Sequence, residues 1–343
     1  FTSFIKGLVL SKYIRGADMT TSDSKNKSLL DSVIEKNKLE HVLEEFELND
    51  FFLTPAYRRL LFSIVTTYNK PGVHVYQVLS IAGLGKSTFA RILGSSLFKN
   101  SLIINSNSDA TPADIRGLYR YTASNGCSEL TFDLSSMLAF LTNDIDDVPG
   151  LLVIDESSLL SPGCYELFRS VITEKVLSIP EEGFLNRKII NKITIMFLLN
   201  NEVQLKSLYS EAMVNRFKTL FEIPFDAGSV AAILKTKLKD RRYHVLPQEV
   251  KKNSFIDEMT AKLSGSDAAF GYRFNLRDYL YLFDEMAEIF SVACYAKSEV
   301  ADIFYATLEF IASGKAKLYY NKQINIDSVR TALNLFSEED QNE

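Results

Sequence analysis

The chain has 343 residues, of which 46% are hydrophobic and 24% are charged, a composition typical of a soluble globular protein long enough for one large domain or two. Its net charge of -5 argues against a large basic surface that binds nucleic acid unaided, and no apolar run reaches the ~20 residues of a membrane span. Three scattered cysteines exclude a disulfide framework or a zinc site and predict a reducing compartment, cytoplasmic or nuclear.

Strands and helices alternate through the first two thirds of the chain. Helical patterns at 29–47 and 55–68 precede five apolar strands, which we expect at Val73–Val78, Ser101–Asn105, Leu151–Ile154, Ile193–Leu199 and Leu220–Pro224. This alternation predicts a parallel sheet covered by helices on both faces. Beyond residue 226 only helical patterns remain, at about 227–239, 253–264, 275–296, 298–313 and 326–336.

The most informative segment follows the first strand and reads Ser-Ile-Ala-Gly-Leu-Gly-Lys-Ser-Thr at 80–88. Glycines allow the backbone to approach phosphate oxygens, and the N–H groups of the next helix bind an anion. A lysine then reaches the β- and γ-phosphates and a serine hydroxyl binds Mg²⁺, although Ser80 replaces the first glycine of the usual pattern. The alternative is an ordinary strand–helix turn. We expect nucleotide contacts from Gly83, Leu84, Gly85, Lys86, Ser87 and Thr88.

Two carboxylates follow the third apolar strand. Asp155 and Glu156 come directly after Leu151–Ile154, at the edge of a parallel sheet where ligands bind. There Asp155 is placed to hold Mg²⁺ together with Ser87, and Glu156 to activate a water molecule as a general base. The alternative is a solvated acidic turn with no ligand. The spacing of the two carboxylates after the phosphate loop favours the metal and general-base roles over this alternative.

Three further polar residues are candidates for the same site. Asn200, or its neighbour Asn201, ends the fourth strand and could hydrogen-bond the water and the γ-phosphate. Arg216, in Asn-Arg-Phe, could act on the γ-phosphate of a neighbouring subunit or form a salt bridge within the chain. Arg277 lies in the first turn of a predicted helix, where the helix dipole disfavours a cation unless an anion is bound nearby.

The order of these motifs resembles that of the AAA+ ATPases over roughly residues 50–300. By resemblance, Lys86 and Ser87 correspond to Walker A, Asp155 and Glu156 to Walker B, Asn200 to sensor 1, Arg216 to the arginine finger and Arg277 to sensor 2. The resemblance implies ATP with Mg²⁺, a P-loop NTPase sheet followed by an all-helical lid, and a ring oligomer, a hexamer being favoured. We expect an N-terminal helical or linker segment at 1–50, the AAA+ core at 51–225 and the lid with an acidic tail at 226–343.

Two stretches are similar to a subgroup that includes MoxR, midasin and dynein, with MCM helicases second. The segment 105–117 and the stretch that follows it, with a helix expected from about Asp133, resemble an insert in the second helix. Residues 174–183 resemble a β-hairpin that precedes sensor 1. In this group such hairpins commonly face a ring channel, whereas the alternative is a plain edge hairpin.

The sequence is compatible with three functions. The first is an ATP-driven motor or switch that remodels a protein partner, and the second is a nucleic-acid helicase, initiator or loader. The third is an assembly subunit that binds nucleotide without turnover. The basic stretch at 235–242 fits a solvated helix face better than a nucleic-acid contact.

Overall fold

The computed structural model describes residues 30–37, 39–124, 127–142, 148–174, 176–179, 185–188, 192–200, 220–224, 226–264, 274–292, 295, 299–320 and 326–336. A five-stranded parallel sheet lies at its centre, as the sequence predicted. The strands of the described chain are β1 Gly72–Leu79, β2 Asn100–Asn105, β3 Gly117–Ser124, β4 Cys127–Leu134, β5 Gly150–Asp155, β6 Val176–Ile179, β7 Leu185–Lys188, β8 Lys192–Leu199 and β9 Leu220–Glu222.

The spatial order of the central sheet is β2-β5-β8-β1-β9, so β1 lies between β8 and β9. Parallel strands covered on both faces must be apolar along their whole length. Accordingly, every residue of β5 is buried, and so is every residue of β8 after Lys192. Because all five strands run the same way, their C-terminal ends meet at one edge.

The helices cover this sheet and build the second half of the chain. Residues 30–37 form α1, and a non-helical Leu39 separates it from the next helix, so the segment predicted as one helix at 29–47 is two. The remaining α-helices of the described residues are α2 Glu40–Leu48, α3 Pro55–Val65, α4 Lys86–Ser96, α5 Pro112–Arg116, α6 Ser136–Thr142, α7 Pro162–Glu174, α8 Ala227–Lys237, α9 Gln248–Lys251, α10 Asn253–Ser264, α11 Leu276–Val292, α12 Val300–Tyr320 and α13 Ile326–Leu333.

Two antiparallel hairpins stand apart from the central sheet. One pairs β3 with β4 between the short helices α5 and α6, and the other pairs β6 with β7 just before β8. The helix expected from about Asp133 begins at Ser136 instead, because Asp133 pairs with Leu118 in the first hairpin. The tip of the second hairpin lies outside the described residues.

An aromatic cluster joins the N-terminal helices to α4. Phe89 of α4 is fully buried, and its ring stacks on Phe46 of α2 at 5.2 Å and on Tyr57 of α3 at 4.9 Å between centroids. Phe51 packs edge-on against Tyr57 at 5.1 Å. Such pairs add about 0.5–1.5 kcal/mol each beyond the burial of their area. The helix that follows the phosphate loop is therefore fixed from the side opposite the sheet.

The helical second half shares a continuous core with this cluster. Its helices contribute buried apolar residues such as Leu234, Met259, Phe283 and Phe304 to the same connected set of side chains as Phe89. Asp226 caps the start of α8 by accepting from the backbone N–H of Ser229 at 2.7 Å. Among the described residues, no helix has both the length and the apolar character needed to cross a bilayer.

The aromatic cluster gives a prediction about stability. Phe89→Ala should lower the free energy of unfolding by about 3–5 kcal/mol, because it empties a fully enclosed space. Phe310→Ala is the matched control, since that ring on α12 is 67% exposed and its loss should cost less than about 0.5 kcal/mol. Urea denaturation followed by circular dichroism measures both. Equal losses in the two variants would contradict the proposed role of the cluster.

Candidate functional site

The phosphate-binding loop connects β1 to α4 and depends on two glycines. Gly83 and Gly85 have φ angles of +87° and +85°, and Gly85 is the last residue before α4. Only glycine adopts this left-handed region without cost. Gly85 also lies so close to Phe51 that a Cβ atom there would be 2.9 Å from the ring. The loop therefore packs against the aromatic cluster as well as against the sheet.

Ser80 fits the first position because that position is still strand-like. Its backbone N–H donates to the carbonyl of Leu199 at 3.1 Å, which extends the pairing of β1 with β8, and it is not among the described residues with positive φ. A glycine is therefore not required here for backbone reasons. This removes the steric objection to the departure from the usual pattern.

Lys86 begins α4 and points back toward the strand ends. Its side chain is buried, and Nζ donates to the carbonyls of Ser80 at 3.0 Å and Ile81 at 3.2 Å. Nζ also donates to Ser80 Oγ at 2.8 Å and to Asn200 Oδ1 at 2.7 Å. The predicted lysine of the loop and the predicted asparagine of β8 are thus in direct contact.

Burial lowers the pKa of Lys86 from 10.5 to about 8, and the nearby charges of Asp155 and Glu156 partly oppose this by favouring the ammonium form. The two carboxylates predicted from the third strand therefore act electrostatically on the predicted lysine. Residues separated by up to 114 positions in the sequence come together at one edge of the sheet, because β1, β8 and β5 are consecutive in its spatial order.

The carboxylates occupy two different environments. Asp155 is buried at the end of β5, where Oδ1 accepts from the backbone N–H of Glu156 at 2.9 Å. Glu156 is exposed and takes a left-handed conformation with φ of 50°. The next residue, Ser157, is fully buried and donates from Oγ to the carbonyl of Leu198 at 3.0 Å. This bond ties the turn to β8 and leaves the Glu156 side chain free to meet a ligand.

Oxygen donors are available for a divalent cation. Asp155 offers a carboxylate and Ser87, in the first turn of α4, a hydroxyl, and such hard donors suit Mg²⁺. The described residues hold no group of three or more His, Cys, Asp or Glu that could bind a metal alone. Mg²⁺ typically takes one or two carboxylates plus substrate phosphates, so these donors fit an ion that arrives with a nucleotide.

The helical half reaches the phosphate loop through the start of α11. Asn275 and Asp278 cap each other's backbone N–H groups, at 3.2 Å to Asn275 Oδ1 and 2.9 Å to Asp278 Oδ2. A Cβ atom on Gly83 would lie 3.1 Å from Asn275 Oδ1 and 3.5 Å from Arg277 Cβ. The Cβ atom of the exposed Arg277 therefore lies beside the loop, and the contact of its guanidinium with a phosphate stays a prediction. Asn201 and Arg216 lie outside the described residues.

The sequence did not indicate that Tyr57 of α3 supports the loop through a hydrogen bond. The Tyr57 hydroxyl donates to the carbonyl of Leu84 at 2.8 Å, and burial raises the pKa of Tyr57 above its ordinary value. The Thr54-Pro55 pair, with Thr54 capping α3, marks the start of this helix in the sequence. No sequence signal indicates that its tyrosine reaches a loop 27 residues away.

The basic stretch at 235–242 is partly neutralised within the chain. Lys235 pairs with Asp257 at 2.6 Å, Lys237 with Asp50 at 3.6 Å and Arg242 with Asp284 at 3.6 Å. Surface ion pairs of this kind contribute little energy each. These pairings favour the interpretation as a solvated helix face over a nucleic-acid contact.

Comparison with known proteins adds only a weak likeness. No protein-family model matches the chain, and no curated protein does. Three solved structures of Thermotoga maritima RuvB single mutants are similar in shape over 76% of this chain, with TM-scores of 0.43, 0.41 and 0.42 and identities of 16%, 16% and 15%. The match covers 74%, 74% and 75% of those chains. Likenesses at this level add nothing to what the sheet order and the phosphate loop establish about the fold.

The Tyr57 contact can be tested by removing one atom. Tyr57→Phe should lower the free energy of unfolding by about 1–3 kcal/mol, because the buried carbonyl of Leu84 loses its donor. Tyr281→Phe, in which the side chain is 44% exposed, is the matched control and should have little effect. Thermal unfolding by calorimetry distinguishes the two. An unchanged Tyr57→Phe protein would mean that the hydroxyl does not support the loop.

Proposed function

We propose that this chain binds and hydrolyses ATP as an AAA+ ATPase. The observation that carries this proposal is the convergence of Lys86, Asn200 and the Asp155-Glu156 pair at the edge of the sheet beside a loop with two left-handed glycines. Burying the Lys86 ammonium group costs desolvation free energy, which its packing against the apolar core does not return. An anionic ligand at the loop supplies a reason for it.

The role of each described residue follows from its position, and the role of Arg216 is what the resemblance to the AAA+ ATPases implies. The loop N–H groups and Lys86 bind the β- and γ-phosphates, and Glu156, exposed beside them, accepts a proton from the attacking water. Asn200 orients that water or the γ-phosphate, and Arg277 stabilises negative charge on the phosphates. Ser87 and Asp155 would hold Mg²⁺, which would supply positive charge to the phosphate oxygens. Arg216 acts on the ATP of a neighbouring subunit.

We further infer a ring assembly, a hexamer being favoured, that uses ATP to remodel a protein partner. The insertion of hairpins β3–β4 and β6–β7 at the two positions expected from the MoxR, midasin and dynein resemblance supports this subgroup. The paired charges of the 235–242 stretch make a nucleic-acid motor the second choice. Stimulation of ATP hydrolysis by DNA or RNA in a salt-sensitive manner would reverse that order.

Hydrolysis is tested by changing the proposed general base. Glu156→Gln should reduce ATP turnover at least about 100-fold, since general-base catalysis typically contributes that much, while ATP binding stays near the wild-type level. Lys86→Ala is the companion variant and should lose binding as well. Phosphate release and calorimetric titration measure the two properties. Normal turnover in Glu156→Gln would refute the assignment, and absence of turnover with intact binding in the wild-type protein would leave a nucleotide-binding assembly subunit.

The lowered pKa of Lys86 predicts a pH dependence of ATP affinity. The triphosphate favours the ammonium form, so a free protein with a Lys86 pKa of about 8 must take up a proton on binding ATP at higher pH. Affinity should therefore be constant below about pH 7.5 and fall toward tenfold per pH unit above pH 8. Calorimetry in two buffers with different ionisation enthalpies measures the proton uptake. An ATP affinity that stays constant between about pH 7 and about pH 9, one unit either side of the Lys86 pKa, would contradict the lowered value.

A further inference from the structure

Ser80 stands where the usual phosphate-loop pattern has its first glycine, and its hydroxyl is fully engaged. The residue is buried, and Oγ donates its hydrogen to the carbonyl of Ile81 at 2.9 Å. With that hydrogen used, the oxygen can only accept, and it accepts from Lys86 Nζ at 2.8 Å. A glycine at this position would have no such group. The contact is therefore a feature of this chain and not a requirement of the loop.

The Lys86 ammonium group has no donor left for a ligand in this arrangement. An ammonium carries three hydrogens, whereas four oxygens lie between 2.7 and 3.2 Å from Nζ. Two of the oxygens are loop carbonyls, and the other two belong to the side chains of Ser80 and Asn200. A phosphate that contacts Lys86 must take the place of at least one of them. Hydrogen bonds that involve a charged donor are among the stronger ones.

We propose that Ser80 is a positioning residue that latches Lys86 in the ligand-free loop, and that the bond between Ser80 Oγ and Lys86 Nζ is the one that nucleotide binding breaks. The latch weakens nucleotide binding compared with a loop that has glycine or alanine at this position. This proposal rests on the proposed function for the identity of the ligand. The contact between Ser80 Oγ and Lys86 Nζ is present in the protein without a ligand.

The direction in which nucleotide affinity changes when Ser80 is replaced distinguishes a latch from a serine with only a structural role. A serine that only fills space or supports the loop would, when replaced by alanine, leave nucleotide affinity unchanged or reduce it. A serine that competes with phosphate for Lys86 would, when replaced, increase the affinity. Ser80→Ala keeps the Cβ atom and removes only the oxygen, so both hydrogen bonds of the hydroxyl are lost while the backbone keeps a side chain that allows the same conformation.

The ligand-free arm of the test measures the latch directly. Nitrogen-15 NMR of the lysine ammonium groups, with the Lys86 signal assigned by its loss in Lys86→Arg, gives the rate of hydrogen exchange with water. We expect this rate to rise at least about threefold in Ser80→Ala and Ser80→Gly, because one acceptor is lost. It should stay at the wild-type value in Ser80→Thr, which keeps the hydroxyl, and in Ser96→Ala, whose hydroxyl contacts Ile92 instead. Unchanged exchange in Ser80→Ala would overturn the proposal.

The nucleotide arm measures the consequence. In calorimetric titration with ATP and Mg²⁺, Ser80→Ala and Ser80→Gly should bind about fivefold more tightly than the wild-type protein, which corresponds to about 1 kcal/mol. Ser80→Thr and Ser96→Ala should match the wild type, and far-UV circular dichroism confirms that each variant is folded. Equal or weaker binding by Ser80→Ala would overturn the latch. If the wild-type protein binds no ATP, the proposed function fails, and the exchange rates still decide whether the latch exists.

Discussion

A buried ammonium group is the constraint on which the candidate site depends. Lys86 is held by loop carbonyls and by Asn200, so its charge is fixed at the ends of β1 and β8. Placing that charge in a region with little water is unfavourable unless oxygen atoms surround it. The negative charges of Asp155 and Glu156, at the end of the neighbouring strand β5, favour the ammonium form and so reduce the free-energy cost of burying it. The geometry of the loop, the sheet edge and the acidic turn is thus organised around one positive charge.

The surrounding structure explains how this charge stays in place. From one side, the apolar strands β5 and β8 bring Asp155 and Asn200 to the sheet edge with little freedom, since both strands are buried along their length. From the other side, Phe51 and Tyr57 contact the loop at Gly85 and Leu84. Pre-organisation of this kind reduces the entropy that is lost when a ligand binds. The loop is therefore supported before any nucleotide arrives.

The contact between the loop and the start of α11 connects the site to the helical half of the chain. Asn275 and Arg277 lie against Gly83, and the apolar face of α11 is buried in the core that it shares with the other helices. A movement of the loop at Gly83 would reach this helix through these two residues. Such a connection is what a protein needs if nucleotide state is to move one part of the chain against another.

The sequence alone determined the type of fold and most of the candidate site. Apolar runs of strand length predicted the five parallel strands, the motifs after those strands predicted Lys86, Asp155, Glu156 and Asn200, and the first turn of a predicted helix indicated Arg277. These signals are local in the sequence. The sequence did not show that Asp133 belongs to a hairpin, that Tyr57 supports Leu84, or that Ser80 binds Lys86. Those facts depend on strand order and on contacts between distant segments. Only the tertiary structure decides them, since a side chain's partner is set by packing and not by its neighbours along the chain.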